Sequence, residues 1–154
     1  MTQSRVTPLS ALPREHPEEH ALLLELADRA ANYVAAHAWC VRVIDIGWGD
    51  GVGGVIGVLQ VAFEPAPSRA VASPVWVIVG DLPPAYFAAS AALSSPRRAL
   101  EAYCATMRRW ATAARAGRSI EAAVPVAVEA TPEHAAMLLS RFEFLEQEIL
   151  PTMS

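Results

Sequence analysis

Gly49-Asp50-Gly51-Val52-Gly53-Gly54 matches G-x-G-x-x-G, the spacing at which backbone amides cradle a pyrophosphate. The match lies in VIDIGWGDGVGGVIG, which spans Val43 to Gly57 and holds most of the chain's 8 glycines. Phosphate chemistry needs a helix immediately after the last glycine, because the helix N-terminus supplies both the amides and the dipole. Here VIGVLQVAF follows, with β-branched Val55, Val58 and Val61 and an internal Gly57, all poor helix material. The stretch therefore reads as a β-hairpin, with Asp50-Gly51 as the turn pair because both residues tolerate positive φ. The surplus glycines fit a longer loop or a bulge beside the turn. Trp48 and Asp50 flank that turn and are candidate binding residues.

His16-Pro17-Glu18-Glu19-His20 has the spacing H-x-x-E-H, an inverted zinc-protease pattern. A metal needs both histidines on one helical face, and Pro17 pushes His16 out of helical geometry. The segment reads as a solvated helix start, and no metal is expected. His37 and His134, at helix ends, read as surface or capping groups. The two cysteines, Cys40 and Cys104, make no disulfide framework, and Cys104 falls on an apolar helix face. All the basic residues are arginine, so a lysine nucleophile or Schiff base is excluded. G-x-S-x-G, a P-loop, C-x-x-C and H-E-x-x-H are absent, so no catalytic residue and no cofactor are assigned.

Two surfaces remain. In VIVGDLPPAYF, from Val77 to Phe87, two prolines stiffen a loop that follows an apolar strand. Stiff aromatic loops lose little entropy on binding, which makes Asp81, Pro83, Pro84 and Tyr86 candidate contact residues. Along the next helix Arg97, Arg108, Arg109 and Arg115 form a candidate docking face for an acidic partner. The competing reading is a solvated face lying beside Glu143, Glu146 and Glu148 of the last helix.

These residues must be held by a short list of elements. Residues 1–15 are polar and proline-punctuated, a flexible lead-in, and 16–150 form a single domain. Pro17, followed by Glu18 and Glu19, starts a helix over 17–38 whose apolar face carries Leu23, Leu26, Ala30 and Val34. Strands are expected over Val41–Trp48, Val55–Glu64 and Val75–Val79. EPAPSRAVASP and DLPPAYFAASAALSSP read as loops. Ser95-Pro96 caps a helix with a stripe of Leu100, Tyr103, Cys104, Met107, Ala111 and Ala114, stopped at Gly117. After a connector with an extended piece at Val124–Val128, Thr131-Pro132 opens a last helix ended by Pro151. The order predicts an α+β fold: an antiparallel three- or four-stranded meander with the helices packed mainly on one face.

Two resemblances bear on function. VIDIGWGDG resembles the first motif of Rossmann-like S-adenosylmethionine methyltransferases, and Asp81-Leu82-Pro83-Pro84-Ala85-Tyr86 resembles the D-P-P-Y motif of amino-methyltransferases. The second carries insertions at Leu82 and Ala85, and the chain between Asp45 and Asp81 is too short for the intervening strand–helix units. Separately, VxVGDLPPAYF, RRALEAYCATMRRW and TPEHAAMLLSRFEFLE, over residues 75–150, look like a group of short uncharacterised bacterial proteins. That group carries no known activity, so no residue roles transfer.

A 53% hydrophobic and 18% charged composition places the chain among folded domains rather than disordered ones. A net charge of −4 argues against general nucleic-acid binding. No apolar run reaches bilayer-spanning length and no secretory signal is visible, so neither a membrane nor export is expected and the cytoplasm is the default location. The leading expectation is a non-catalytic interaction or regulatory domain, whose partner is another protein or a second copy of the chain. The alternatives are an S-adenosylmethionine- or nucleotide-binding enzyme using the glycine loop and Asp81, and a small-ligand-binding protein using the sheet's open face.

Overall fold

The computed structural model describes residues 6–67, 71–116 and 132–153. Its centre is a five-stranded antiparallel sheet in sequential order: β1 (Thr7–Pro8), β2 (Cys40–Val52), β3 (Ile56–Pro65), β4 (Val75–Gly80) and β5 (Ala85–Ala88). The α+β class and the antiparallel meander are as expected, but the strand count is higher. The fourth connection contributes a strand because Ala85–Ala88 returns along β4, pairing Tyr86 with Val77 and Phe87 with Trp76. The lead-in contributes the other, pairing Thr7 with Trp48, and buries Leu12 beyond it.

The β2–β3 hairpin forms where the sequence places it, with its turn three residues later than expected. Val55 N–H donates to the Val52 carbonyl at 2.9 Å, so Gly53 and Gly54 are the central residues. Gly54 has φ +80°, the positive value that the second central position of a type II turn requires. Asp50 and Gly51 lie within β2, opposite Val58 and Gly57. Register shifts between Cys40 and Arg42, Val43 and Asp45, and Trp48 and Asp50 put bulges along this strand. No helix follows the glycines, because Ile56 already belongs to β3.

Side-chain alternation gives the sheet two buried faces. Leu59, Val61 and Phe63 of β3 and Val75, Val77 and Val79 of β4 meet α1 (Pro17–Ala35) through Leu26, Ala27, Ala30 and Val34. Ile56, Val58, Trp76 and Ile78 point the other way, into a core closed by α2 (Pro96–Arg115) and α3 (Pro132–Phe144). The helices therefore cover both faces rather than mainly one. β4 is buried along its whole length, which explains why its sequence shows no polar alternation.

Ser95 caps α2: its Oγ accepts from Arg98 N–H at 3.2 Å, with Pro96 at the first helical position. Ser95→Ala is expected to destabilise the fold by about 0.5–2 kcal/mol, seen as a lower midpoint in urea with an unchanged slope. α3 runs on through a π-helical turn at Leu145–Ile149 and a 3-10 turn at Leu150–Thr152, which seat Ile149 and Met153 in the core. Val124–Val128, the stop at Gly117 and the cap at Thr131 lie outside the described residues.

Candidate functional site

The backbone from Gly80 to Pro83 is where the three helices converge. Each sends one side chain to it. Arg29 of α1 donates to the Gly80 carbonyl at 2.8 Å. Arg141 of α3 donates to the Asp81 carbonyl at 2.6 Å. Tyr103 of α2 donates its hydroxyl to the Pro83 carbonyl at 2.7 Å. Asp81 N–H adds a bond to the Val55 carbonyl at 3.0 Å, tying the segment to the hairpin tip. Carbonyls leaving a strand need donors, and here the helices supply them.

The candidate residues named from sequence do not form one cluster. Trp48 is buried and packs across Gly57 toward Leu26. The Asp50 carboxylate accepts from Gly51 N–H at 2.8 Å, a local contact within β2. Pro83 is buried and Pro84 half-buried. Tyr86 belongs to an aromatic group with Tyr33, His37 and Trp39, its ring centroid 4.8 Å from Trp39 and 5.1 Å from His37. His37 closes that group, its Nδ1 lying 2.7 Å from the Tyr33 carbonyl. Among the described residues, Tyr33 Oη and Trp39 Nε1 are buried without a hydrogen-bond partner. Burial, with a smaller contribution from Tyr86, pushes the Tyr33 hydroxyl up to about 12. Only Asp81 keeps its side chain in solvent, 78% exposed and 3.4 Å from Arg141. An ion pair that open contributes at most about 1 kcal/mol.

The arginine face is partly consumed inside the molecule. Arg108 Nε meets Glu146 Oε1 at 2.5 Å, and Arg97 donates to the Met153 carbonyl at 3.2 Å. Arg109 and Arg115 stay exposed, and among the described residues neither meets a carboxylate.

A surface that the sequence did not single out lies beside DLPP. Val55, Asp81, Leu82, Arg141, Phe144 and Leu145 line a dimple of about 120 Å³. Of these, Val55 and Phe144 are exposed, and Val52, across the turn from Val55, is exposed as well. Leu22, also exposed, packs beside Gly53 and Gly54 at the hairpin tip. Ligand pockets start at about 300 Å³, so this dimple suits one side chain rather than a cofactor. A hollow of about 320 Å³ lies on the α2 side of the sheet, lined by Gln60, Trp76, Ser90, Leu93 and Ser94 among others. Trp76 beneath it has 0% exposure and already donates Nε1–H to the Leu93 carbonyl at 2.7 Å, so it offers a ligand no ring face.

Cys104 carries no reactive thiol. Burial pushes it up to about 12, Glu146 adds to the rise, and Arg108 opposes it. The unfolded thiol titrates near 9, so the unfolded chain loses this proton first. The contribution to stability is full below pH 9 and is lost as pH rises toward 12. Thermal midpoints are expected to fall less steeply over that window in Cys104→Ala than in the wild type.

Three groups decide this region and were not picked out as site residues: Arg29, Arg141 and the Tyr103 hydroxyl. Only Tyr103 left a signal, as a hydroxyl inside an apolar stripe, where a buried tyrosine needs an acceptor. Among the described residues, no three of His, Cys, Asp and Glu gather as a metal site. No described helix is long and apolar enough to cross a membrane. No family model, curated protein or solved structure matches this chain.

Proposed function

We propose that this chain is a non-catalytic protein-interaction domain that docks its partner at the hairpin tip, beside the DLPP segment. One observation carries the reading. Side chains from all three helices fix the Gly80–Pro83 backbone, and that fixed backbone walls an exposed apolar dimple. A surface held this way pays little ordering entropy when a side chain enters it. Exposed Val55 and Phe144, both lining it, supply apolar contact area. The arginine face is the weaker surface, since Arg97 and Arg108 are already engaged within the fold.

The test is quantitative affinity capture with two pairs of surface substitutions. Val55→Asp with Phe144→Asp is expected to release a protein held by the wild type. Arg109→Glu with Arg115→Glu is expected to retain it. All four positions are exposed, so circular dichroism should show both variants folded. The same partner bound equally by the Val55/Phe144 variant rejects the hairpin-tip site, and its loss with the arginine variant moves the site to α2.

A further inference from the structure

We infer that the free edge of β5 is closed by β5 of a second copy of this chain, the two strands running antiparallel about a two-fold axis at Phe87. Backbone direction is the first reason. Ala89 N–H donates to the Pro74 carbonyl at 3.1 Å, and Asp81 N–H donates to the Val55 carbonyl at 3.0 Å. Together with the strand registers, these bonds fix the alternation along the sheet. Trp76 and Ile78 of β4 bond to Phe87 and Ala85, while Val75, Val77 and Val79 bond to β3. Tyr86 and Ala88 therefore turn their N–H and C=O groups away from the sheet. Among the described residues no strand lies beyond β5 to receive them.

Such an edge is a template for strand addition unless charges, prolines or bulges guard it. The opposite edge is guarded: where β2 runs past β1 it carries bulges and exposed Arg42 and Asp45. β5 has no such device. It pairs with β4 without a register shift, and residues 82–96 hold no charge.

The edge is also complementary to itself, which selects a second copy. With the axis at Phe87, Tyr86 exchanges both backbone bonds with Ala88 of the second copy, and Ala88 with its Tyr86. Every outward group of the strand then gains a partner. Side chains fit the same register. On the α1 face, where Tyr86 packs with Trp39, the exposed Ala88 of the second copy lies opposite, small against large. On the α2 face half-buried Phe87 meets its own copy in a non-hydrogen-bonded pair, with Cα atoms about 4.5 Å apart, the closest cross-strand approach. An unrelated extended segment would bond the same backbone, but it would have to reproduce the alanine and the aromatic that a second copy already carries.

Sedimentation equilibrium on the intact chain is expected to show a mass that rises with concentration from one chain toward two. Ala88→Pro removes an outward N–H where an edge strand tolerates proline, and it should sediment as a monomer. Ala88→Lys keeps the backbone and adds the charge that guards natural edges. It should also be monomeric with unchanged circular dichroism, and it decides the matter if Ala88→Pro does not fold. The axis is read by cross-linking. Phe87→Cys in a Cys40→Ser background should form a disulfide between two chains on mild oxidation, because Cα atoms paired at the axis lie within disulfide reach. Phe144→Asp, aimed at the hairpin-tip site, should leave the dimer intact. A chain that stays monomeric at every concentration overturns the inference. So does a dimer that a folded Ala88 variant retains, one that Phe144→Asp dissociates, or one that Phe87→Cys does not cross-link.

Discussion

Gly80→Ala is expected to be among the most damaging single-methyl additions in the fold. Gly80 ends β4 opposite Ile56 with φ +150°, a backbone conformation L side chains rarely adopt. An added Cβ would run into the Val55 carbonyl oxygen and lie 2.8 Å from Ile56 Cα. Both neighbours are backbone, so no side chain can swing away. Backbone strain of about 1–3 kcal/mol adds to a packing cost of about 1–3 kcal/mol. For a domain of this size the melting temperature should fall by about 4–24 °C. Gly54→Ala is the control. It also has positive φ, +80°, but its Cβ would meet only Leu22 side-chain atoms at 3.7 Å. It should show the strain without the collision. Equal losses at the two glycines would mean that contact between Gly80 and the hairpin tip is unimportant.

The contrast between those glycines shows what a sequence conveys and what it hides. The hairpin was legible because β-branched runs flank a glycine-rich centre, and the absence of helix after Gly54 followed from the same residues. Which glycines turn was not legible. Asp50-Gly51 is the better turn pair by local preference, yet β2 runs past it, because the ladder pairs Asp50 with Val58 and Gly51 with Gly57. Tertiary pairing outweighed local turn chemistry. Likewise Ala85–Ala88 has no strand signature of its own. It becomes a strand because Pro83 and Pro84 redirect the chain along the open edge of β4. The helix faces were clear from periodicity, but which side of the sheet each would cover was not. Both parities of β3 and β4 are apolar over much of their length, and that signals two covered faces only when read together.

The site was legible in part. DLPP drew attention as a stiff loop, and the donors bonded to its backbone come from remote residues. Arg29, Tyr103 and Arg141 are far from it in sequence, and no local pattern links an arginine on one helix to a carbonyl on a strand end. Exposure of Phe144 was equally hidden. It follows Phe142 by two residues, which in a helix sends it away from the core that Phe142 enters.

Tyr103→Phe is the second large effect, and it separates fixing the segment from merely filling space. Tyr103 has 0% exposure, and its ring packs edge-on to Phe142 with centroids 6.0 Å apart. Phenylalanine keeps that contact and removes only the hydroxyl. The Pro83 carbonyl then loses its donor in a dry setting, which costs about 1–3 kcal/mol. Tyr103→Ala adds a cavity and should cost about 3–5 kcal/mol. Arg141→Ala, at an exposed position where water can replace the guanidinium, should cost under about 1 kcal/mol. The two donors grip adjacent parts of one short segment, so Tyr103→Phe and Arg141→Ala should not be additive, with a coupling of about 0.5 kcal/mol or more. Amide exchange gives the local readout: Asp81 N–H, bonded to Val55, should lose protection in Tyr103→Phe well before the strand amides of β4 do. A Tyr103→Phe variant that keeps Asp81 protected while losing global stability would make the hydroxyl a core contribution only. The dimple would then owe its shape to Val55 and Phe144 rather than to the three helices. If protection is lost, the same variant should also weaken docking, although residue 103 lies beneath the surface and touches no partner.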